Sequence, residues 1–142
     1  MKEESNHRSN WKAMFIILTA LIGGFLLSFL GFGLLWSGIA WHVQLIMILP
    51  FLLLSYGVFR WSKGSTGSCA FILIGAAPLG ILISQFRDTN GSHLMPILVV
   101  FSWIIGILAG YYWGKLSRAA ESKSAEDIAS FKRKQSHAPS RT

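Results

Sequence analysis

Residues 89–114 read TNGSHLMPILVVFSWIIGILAGYYWG, a run without Asp, Glu, Lys or Arg that ends at Lys115. An α-helix rises about 1.5 Å per residue, so roughly 20 residues cross the hydrocarbon core of a bilayer, which is about 30 Å thick. The run is therefore long enough to span a membrane. Small residues recur at every fourth position on one face of this helix, where a second helix can approach closely. They are Ser102, Gly106, Gly110 and Gly114.

Charged residues are scarce and are concentrated outside the long apolar runs. Hydrophobic residues make up 52% of the 142 positions and charged residues only 13%, whereas ordinary soluble domains carry about 25% charged residues. A soluble domain could not leave residues 13–59 without any charge, so this composition excludes that class. The net charge of +7 lies in tails and turns and forms no folded patch with base-stacking aromatics, which argues against a nucleic-acid partner. Between Lys12 and Lys115 the charged residues are Arg60, Lys63, Arg87 and Asp88.

The uncharged runs predict four membrane spans. Residues 13–59 would form a single helix about 70 Å long, more than twice the hydrocarbon thickness, so the chain must fold back near residues 31–42, which are rich in glycine and tryptophan. We predict spans at about residues 11–35, 41–59, 68–86 and 94–114, the first being a retained span because its apolar run exceeds that of a secretory signal. The predicted fold class is an all-α integral membrane four-helix bundle with short turns.

Both tails and the turns predict the orientation of this bundle. Residues 1–10 read as a polar tail, and we expect the first helix to begin near Trp11; residues 115–142 read as a basic, water-soluble tail in which Ser124 is a candidate helix start. Basic residues cluster in both tails and in the turn after span two, whereas the other turns contain only Arg87, beside Asp88. The positive-inside rule therefore predicts that both termini are cytoplasmic, in the cell membrane. The short tails and turns favour a bacterial origin.

The basic C-terminal tail has two interpretations. In the first it lies on the anionic lipid of the inner leaflet, to which each basic residue adds about 1 kcal/mol. In the second it is a solvated tail that helps to fix the orientation.

Small residues also recur at fourfold spacing in spans one and three, which indicates close helix packing. Superposing residues 14–30 on residues 70–86 aligns the two triplets; a duplicated hairpin would explain this, and so would chance similarity between apolar spans. Span two has no such stripe and is expected to be held least closely. The triplets are Ala20, Gly24 and Ser28 in span one, and Ala76, Gly80 and Ser84 in span three.

Two prolines and two histidines have an alternative functional interpretation. Pro50 and Pro78 lie inside spans two and three, where each frees a carbonyl four residues earlier and predicts a kink; paired broken helices can also form an ion or substrate site. His42 and His93 stand at the outer starts of spans two and four. Together they would bind a metal or sense pH, but zinc sites use three or four protein ligands, which favours two interfacial histidines.

The residues missing from the spans bear most on function. No span carries a charged side chain at its middle, although ion-coupled carriers keep one there, and no set of nucleophile, base and orienting acid is present. Cys69 is the single cysteine and forms no internal disulfide. We therefore expect no catalysis, no cofactor and no metal.

The leading hypothesis for function is an accessory, regulatory or immunity-type subunit. It would pack its small-residue faces internally and against a membrane-protein partner or a second copy of the chain, within the lipid bilayer. The alternative is a small transporter or channel component that acts as an oligomer. That component would use the two prolines and two histidines together with Gln44 and Gln85.

Overall fold

The structure is a computed structural model that describes residues 2–88 and 90–136, with side chains described for residues 11–88 and 90–133. All regular elements in this part of the chain are helices. Four segments are long and apolar enough to cross a membrane, namely Trp11–Trp36, Trp41–Trp61, Gly67–Ser84 and Leu94–Arg133. The predicted all-α, four-helix fold class is confirmed. The elements are α1 (Lys2–Trp36), α2 (Trp41–Gln44), a 3₁₀ turn (Leu45–Met47), α3 (Ile48–Trp61), α4 (Gly67–Ser84) and α5 (Leu94–Ser136).

The first and last helices extend beyond the apolar runs that predicted them. α1 begins at Lys2 and not near Trp11, and α5 continues without a break to Ser136, so Ser124 lies inside a helix and does not start one. Residues 2–10 and 115–136 contain neither Gly nor Pro. Because the apolar span already provides a helical nucleus, each adjoining residue adds a hydrogen bond without the cost of nucleation. Loss of hydrophobicity at Lys115 therefore marks the end of the apolar segment and not the end of the helix.

The second span is interrupted close to its outer end. α2 is followed by the 3₁₀ turn Leu45–Met47, and α3 then begins two residues before Pro50. Proline lacks a backbone N–H and clashes with the preceding turn, which accounts for tighter 3₁₀ geometry there. α4, in contrast, remains α-helical through Pro78.

All three turns between the spans contain a residue with positive φ, and in the third turn it is Gly91, with a φ of +75°. The chain reverses after α1 at residues 37–40, where Gly38 has a φ of +78°. After α3, Lys63 and Gly64 have φ values of +55° and +90°, and the Gly64 N–H donates to the Phe59 carbonyl at 3.1 Å. Glycine adopts this conformation freely, whereas for lysine it is strained. In the third turn, the Asp88 carboxylate accepts from the backbone N–H groups of Asn90 at 3.0 Å and Ser92 at 2.8 Å.

The four spans pack as two parallel pairs. α1 lies mainly against α4, and α3 lies mainly against α5. The contacts of Ile48 with Gly106 and of Phe59 with Gly114 advance in the same direction along α3 and α5, so these two helices are parallel. Smaller contacts between α1 and α3 and between α4 and α5 close the bundle. Its core includes Phe51, Ile72, Ile83, Trp103 and Ile107.

Span two is not the helix held least closely. In its most apolar 18-residue window 33% of the residues are buried, against 17% in the window of span one. The expectation was wrong because two helices can pack closely when only one of them carries small residues at the contact. The glycines of α5 allow the larger side chains of α3 to come near.

The pairing also bears on the duplicated-hairpin hypothesis. A two-fold arrangement of two hairpins would place α1 on α4 and α3 on α5, as observed. The closest approach of α1 to α4, however, brings Gly24 to the level of Gly75, whereas the sequence superposition sets Gly24 against Gly80. The structural register therefore differs by five residues from the register of the superposition.

Candidate functional site

The backbones of α1 and α4 touch at a reciprocal glycine contact. A Cβ atom at Gly24 would collide with the carbonyl oxygen of Ile72, and one at Gly75 would collide with the carbonyl oxygen of Leu21. Gly75 was not among the predicted packing residues, since it lies one position before the stripe that begins at Ala76. The one feature of the sequence that could have identified Gly75 as a packing residue is that it is a glycine within a predicted span.

The glycines of α5 lie directly on α3. A Cβ atom at Gly106 would come within 2.5 Å of the Ile48 carbonyl oxygen, and one at Gly114 would come within 2.5 Å of the Phe59 ring. Gly110 faces the Leu52 carbonyl in the same way. The close approach allows Ser55 Oγ to donate a hydrogen bond of 2.7 Å across the interface to the Ile107 carbonyl.

The remaining predicted packing residues also lie inside the bundle or at its edge. Ala20 and Ser28 are fully buried, and a Cβ atom added at Gly80 would meet, among the described residues, only the Val100 side chain, at 3.5 Å. The three serines donate to carbonyls of their own helices, three residues earlier: Ser28 to Phe25, Ser84 to Ile81 and Ser102 to Val99. Ser84 is half-buried. The stripes are therefore largely occupied by contacts within this chain.

Two buried polar atoms lack a partner among the described residues, namely Gln44 Oε1 and Trp103 Nε1. Gln44 is 1% exposed, and its Nε2 donates to the Ile39 carbonyl at 3.3 Å. Trp103 is 2% exposed, stacks on Phe51 with ring centroids 5.2 Å apart, and presents its six-membered ring to Gly31. Unpaired buried polar atoms are costly, and each needs an explanation. Gln44 was among the residues predicted from the sequence to have a role, whereas Trp103 was not, because a helix that is apolar on all sides gives no sign of which face is buried.

The histidines and the cysteine occupy separate positions in the fold. His42 is exposed on α2, and His93 Nδ1 lies 2.9 Å from the Phe86 carbonyl oxygen, where it closes the third turn. Cys69 is buried in the first turn of α4. Within residues 11–88 and 90–133, whose side chains the structure describes, no group of three or more His, Cys, Asp or Glu residues is arranged to hold a metal ion.

Beyond the bundle, residues 115–133 of α5 are almost entirely exposed. Arg60 at the end of α3 forms an ion pair with Glu121 at 2.8 Å, and the Arg118 guanidinium lies against Gly64. Large apolar side chains project from the same segment into solvent: Leu116, Ile128 and Phe131 are 69%, 56% and 62% exposed.

An end of the bundle that we call the basic end is formed by residues 11–13, 60–66 and 111–121. The contacts of α5 with Arg60 and Gly64 join two of these segments, and a hydrogen-bond distance of 3.3 Å between Thr66 Oγ1 and the Tyr111 hydroxyl adds a third contact between them. Phe15 joins α1 to this end through an edge-to-face contact with Trp61, at 5.6 Å between centroids.

Comparison of the chain with protein-family models, with curated proteins and with solved structures finds no match.

Proposed function

We propose that this protein is a non-catalytic interaction subunit of a membrane assembly. In this proposal the bundle anchors the chain in lipid, and residues 115–136 of α5 dock a partner protein. The observation that carries it is the unbroken course of α5 from Leu94 to Ser136. At 1.5 Å per residue the segment after residue 114 is about 33 Å long, and it is exposed along most of that length.

The distribution of apolar side chains on this segment supports docking. At 100° per residue, Leu116, Phe131 and Ile128 lie within an arc of about 120° on the helix surface. Each is more than half exposed. A helix with such an apolar edge binds grooves on partner proteins through anchors on one face.

The glycine faces of the bundle are already covered by helices of the same chain, so the proposed partner surface lies elsewhere. Gly106 and Gly110 already lie against the α3 backbone of the same chain. Leucine at these positions would separate α5 from α3, so loss of a complex after such a change would reflect damage to the bundle and not to a partner interface. A test of the proposal must use exposed positions.

The experiment places a photo-crosslinking amino acid at Phe131 in full-length protein in native membranes. The matched control carries the same amino acid at Ser122, which lies on the opposite side of α5. We expect a discrete protein adduct from position 131 and none from position 122. Absence of an adduct from position 131, or equal adducts from both positions, would contradict docking through this edge.

We further infer that the basic end is cytoplasmic, with both termini inside and the protein in the cell membrane of a bacterium. The support is the count of basic residues, since three segments rich in Lys and Arg meet at this end while the opposite turns carry only Arg87 beside Asp88. Basic residues near span ends are retained on the cytoplasmic side.

A second candidate function is an oligomeric transporter or channel component, and the environment of Gln44 favours it. A buried amide oxygen without a described partner, next to the 3₁₀ turn of span two, is a group that a permeating solute would satisfy. Purified protein in liposomes would then pass a small polar solute, and Gln44→Leu would abolish the flux while the exposed change Ser37→Ala would not. Liposomes that stay tight with the unaltered chain would exclude this candidate.

A further inference from the structure

A cavity at the basic end lies between the start of the first span and the turn after α3. Its volume is about 610 Å³, and it is open to the surroundings of the bundle. The lining includes two amines, Lys12 and Lys63, and two indoles, Trp11 and Trp61. Tryptophan and lysine together are typical of the level at which lipid headgroups meet the hydrocarbon core.

The charge at this cavity is of one sign. Among the described residues no acidic side chain lines it, and neither Lys12 nor Lys63 forms an ion pair with one. The Ser62 hydroxyl on its edge already donates to the Phe59 carbonyl at 3.0 Å. The two ammonium groups are therefore the charged donors that the cavity offers, and they suit a phosphate group.

The turn places Lys63 there at the cost of backbone strain. Lys63 has a φ of +55°, which a glycine would adopt with less strain, and it directly precedes Gly64 in a turn closed by a hydrogen bond to Phe59. Strained non-glycine residues are concentrated at functional sites. With lysine at position 63 the protein is less stable than it would be with glycine there, but the lysine supplies a positive charge at the same cavity as Lys12.

The apolar side of the cavity continues toward the bundle. Phe15 and Ile16 line the cavity, and Ile16 also lines a second, smaller cavity of about 160 Å³ together with Ile17 and Phe71. The two cavities share Ala13, Ile16 and Ser62 in their walls. The lining of the smaller cavity also includes Ser62, Ser65 and Ser68. The site is thus amphipathic, with amines and indoles at one end and a mainly apolar groove, bordered by these serines, at the other.

We propose that this cavity binds one anionic phospholipid, with the phosphate between Lys12 and Lys63 and an acyl chain along Phe15, Ile16 and Phe71. A free phosphate would satisfy the two amines but not the adjoining apolar groove, so the lipid is the ligand that matches both parts. This assignment goes beyond the interaction role proposed above and does not depend on it.

The test uses full-length protein in mild detergent, titrated with phosphatidylglycerol and followed by native mass spectrometry, which counts bound lipids. The test variant is Lys12→Gln with Lys63→Gly. Because glycine relieves the strain at position 63, weaker binding by this variant cannot be attributed to a damaged turn. The control variant, Lys123→Gln with Lys132→Gln, removes the same charge from the exposed part of α5.

We expect the test variant to bind the first phosphatidylglycerol roughly 30-fold more weakly than the unaltered chain, on the scale that two basic residues contribute at an anionic surface. The control variant should stay within about twofold, since its changed residues are distant and screened. Phosphatidylcholine should bind the unaltered chain more weakly than phosphatidylglycerol.

Three results would overturn the proposal. Equal affinity of the test variant and the unaltered chain for phosphatidylglycerol would show that Lys12 and Lys63 do not bind the lipid. An equal loss of affinity in the control variant would show that binding depends on the net charge of the protein and not on this cavity. Displacement of phosphatidylglycerol by millimolar inorganic phosphate would assign the amines to free phosphate and not to lipid. A Lys12→Arg, Lys63→Arg variant, which retains both charges, should keep the preference for the anionic lipid.

Discussion

Replacing Gly110 with alanine tests whether backbone contact between α3 and α5 holds the bundle together. The added Cβ atom would lie 2.9 Å from Ser55 Cβ and 3.0 Å from the Tyr56 backbone nitrogen, and it would also meet the Leu52 carbonyl. Ordinary contact begins at 3.4 Å, so α5 must move away from α3 by at least about 0.5 Å. That movement would lengthen the 2.7 Å hydrogen bond from Ser55 to the Ile107 carbonyl to about 3.2 Å.

The matched control is Gly57→Ala on α3, where an added Cβ atom would have no neighbour within 4 Å among the residues that the structure describes. Both changes gain the helix propensity of alanine, worth up to about 1 kcal/mol, so the difference between them isolates packing. Overpacking costs about 1–3 kcal/mol, and we expect Gly110→Ala to be less stable than Gly57→Ala by about 2 kcal/mol, or roughly 30-fold in the unfolding equilibrium. Circular dichroism during titration with sodium dodecyl sulfate measures the stability of each of the two variants. Equal stability of the two variants would refute the packing argument.

Three further changes test other parts of the fold. Ser55→Ala should lower the free energy of unfolding by about 0.6–1.7 kcal/mol, because it removes a hydrogen bond between helices, and Ser102→Ala, which removes only a bond within its own helix, should cost less; the reverse order would contradict the assignment. In a cysteine-free background, a membrane-impermeant maleimide should label Ser92→Cys in intact cells and should label Ser122→Cys only in inverted vesicles; the opposite pattern would reverse the orientation. Backbone carbon-13 shifts of residues 115–136 should have helical values, whereas random-coil values would contradict the continuous α5.

Span number and approximate span position could be predicted because the bilayer imposes a length on every uncharged run. The same reasoning could not locate the ends of α1 and α5, since a helix leaves the membrane without changing its backbone hydrogen bonding. Hydrophobicity ends at Lys115, but α5 ends no earlier than Ser136. A hydropathy boundary and a helix boundary are therefore different quantities.

The contacts between helices could be predicted only in part. Fourfold spacing identified the α5 glycines that lie on α3, yet it did not identify Gly75, which makes the closest approach to α1. Trp103 was missed because tryptophan is most often interfacial, whereas here it fills the space between Gly31 and Phe51. Helices that are apolar on every side carry little pattern to distinguish the lipid-facing residues from the buried ones.

The unbroken α5 has a mechanical consequence for the whole protein. Sharp bends in helices need proline, glycine pairs or inserted groups, and residues 111–136 contain no proline and only a single glycine, Gly114. The helix thus has no hinge between the part that packs on α3 and the part that projects beyond the bundle. A bound protein that turned the distal end of α5 would therefore also turn Gly106 and Gly110 against α3. In this way α5 would act as a lever that transmits movement from outside the membrane to the helix contacts within it.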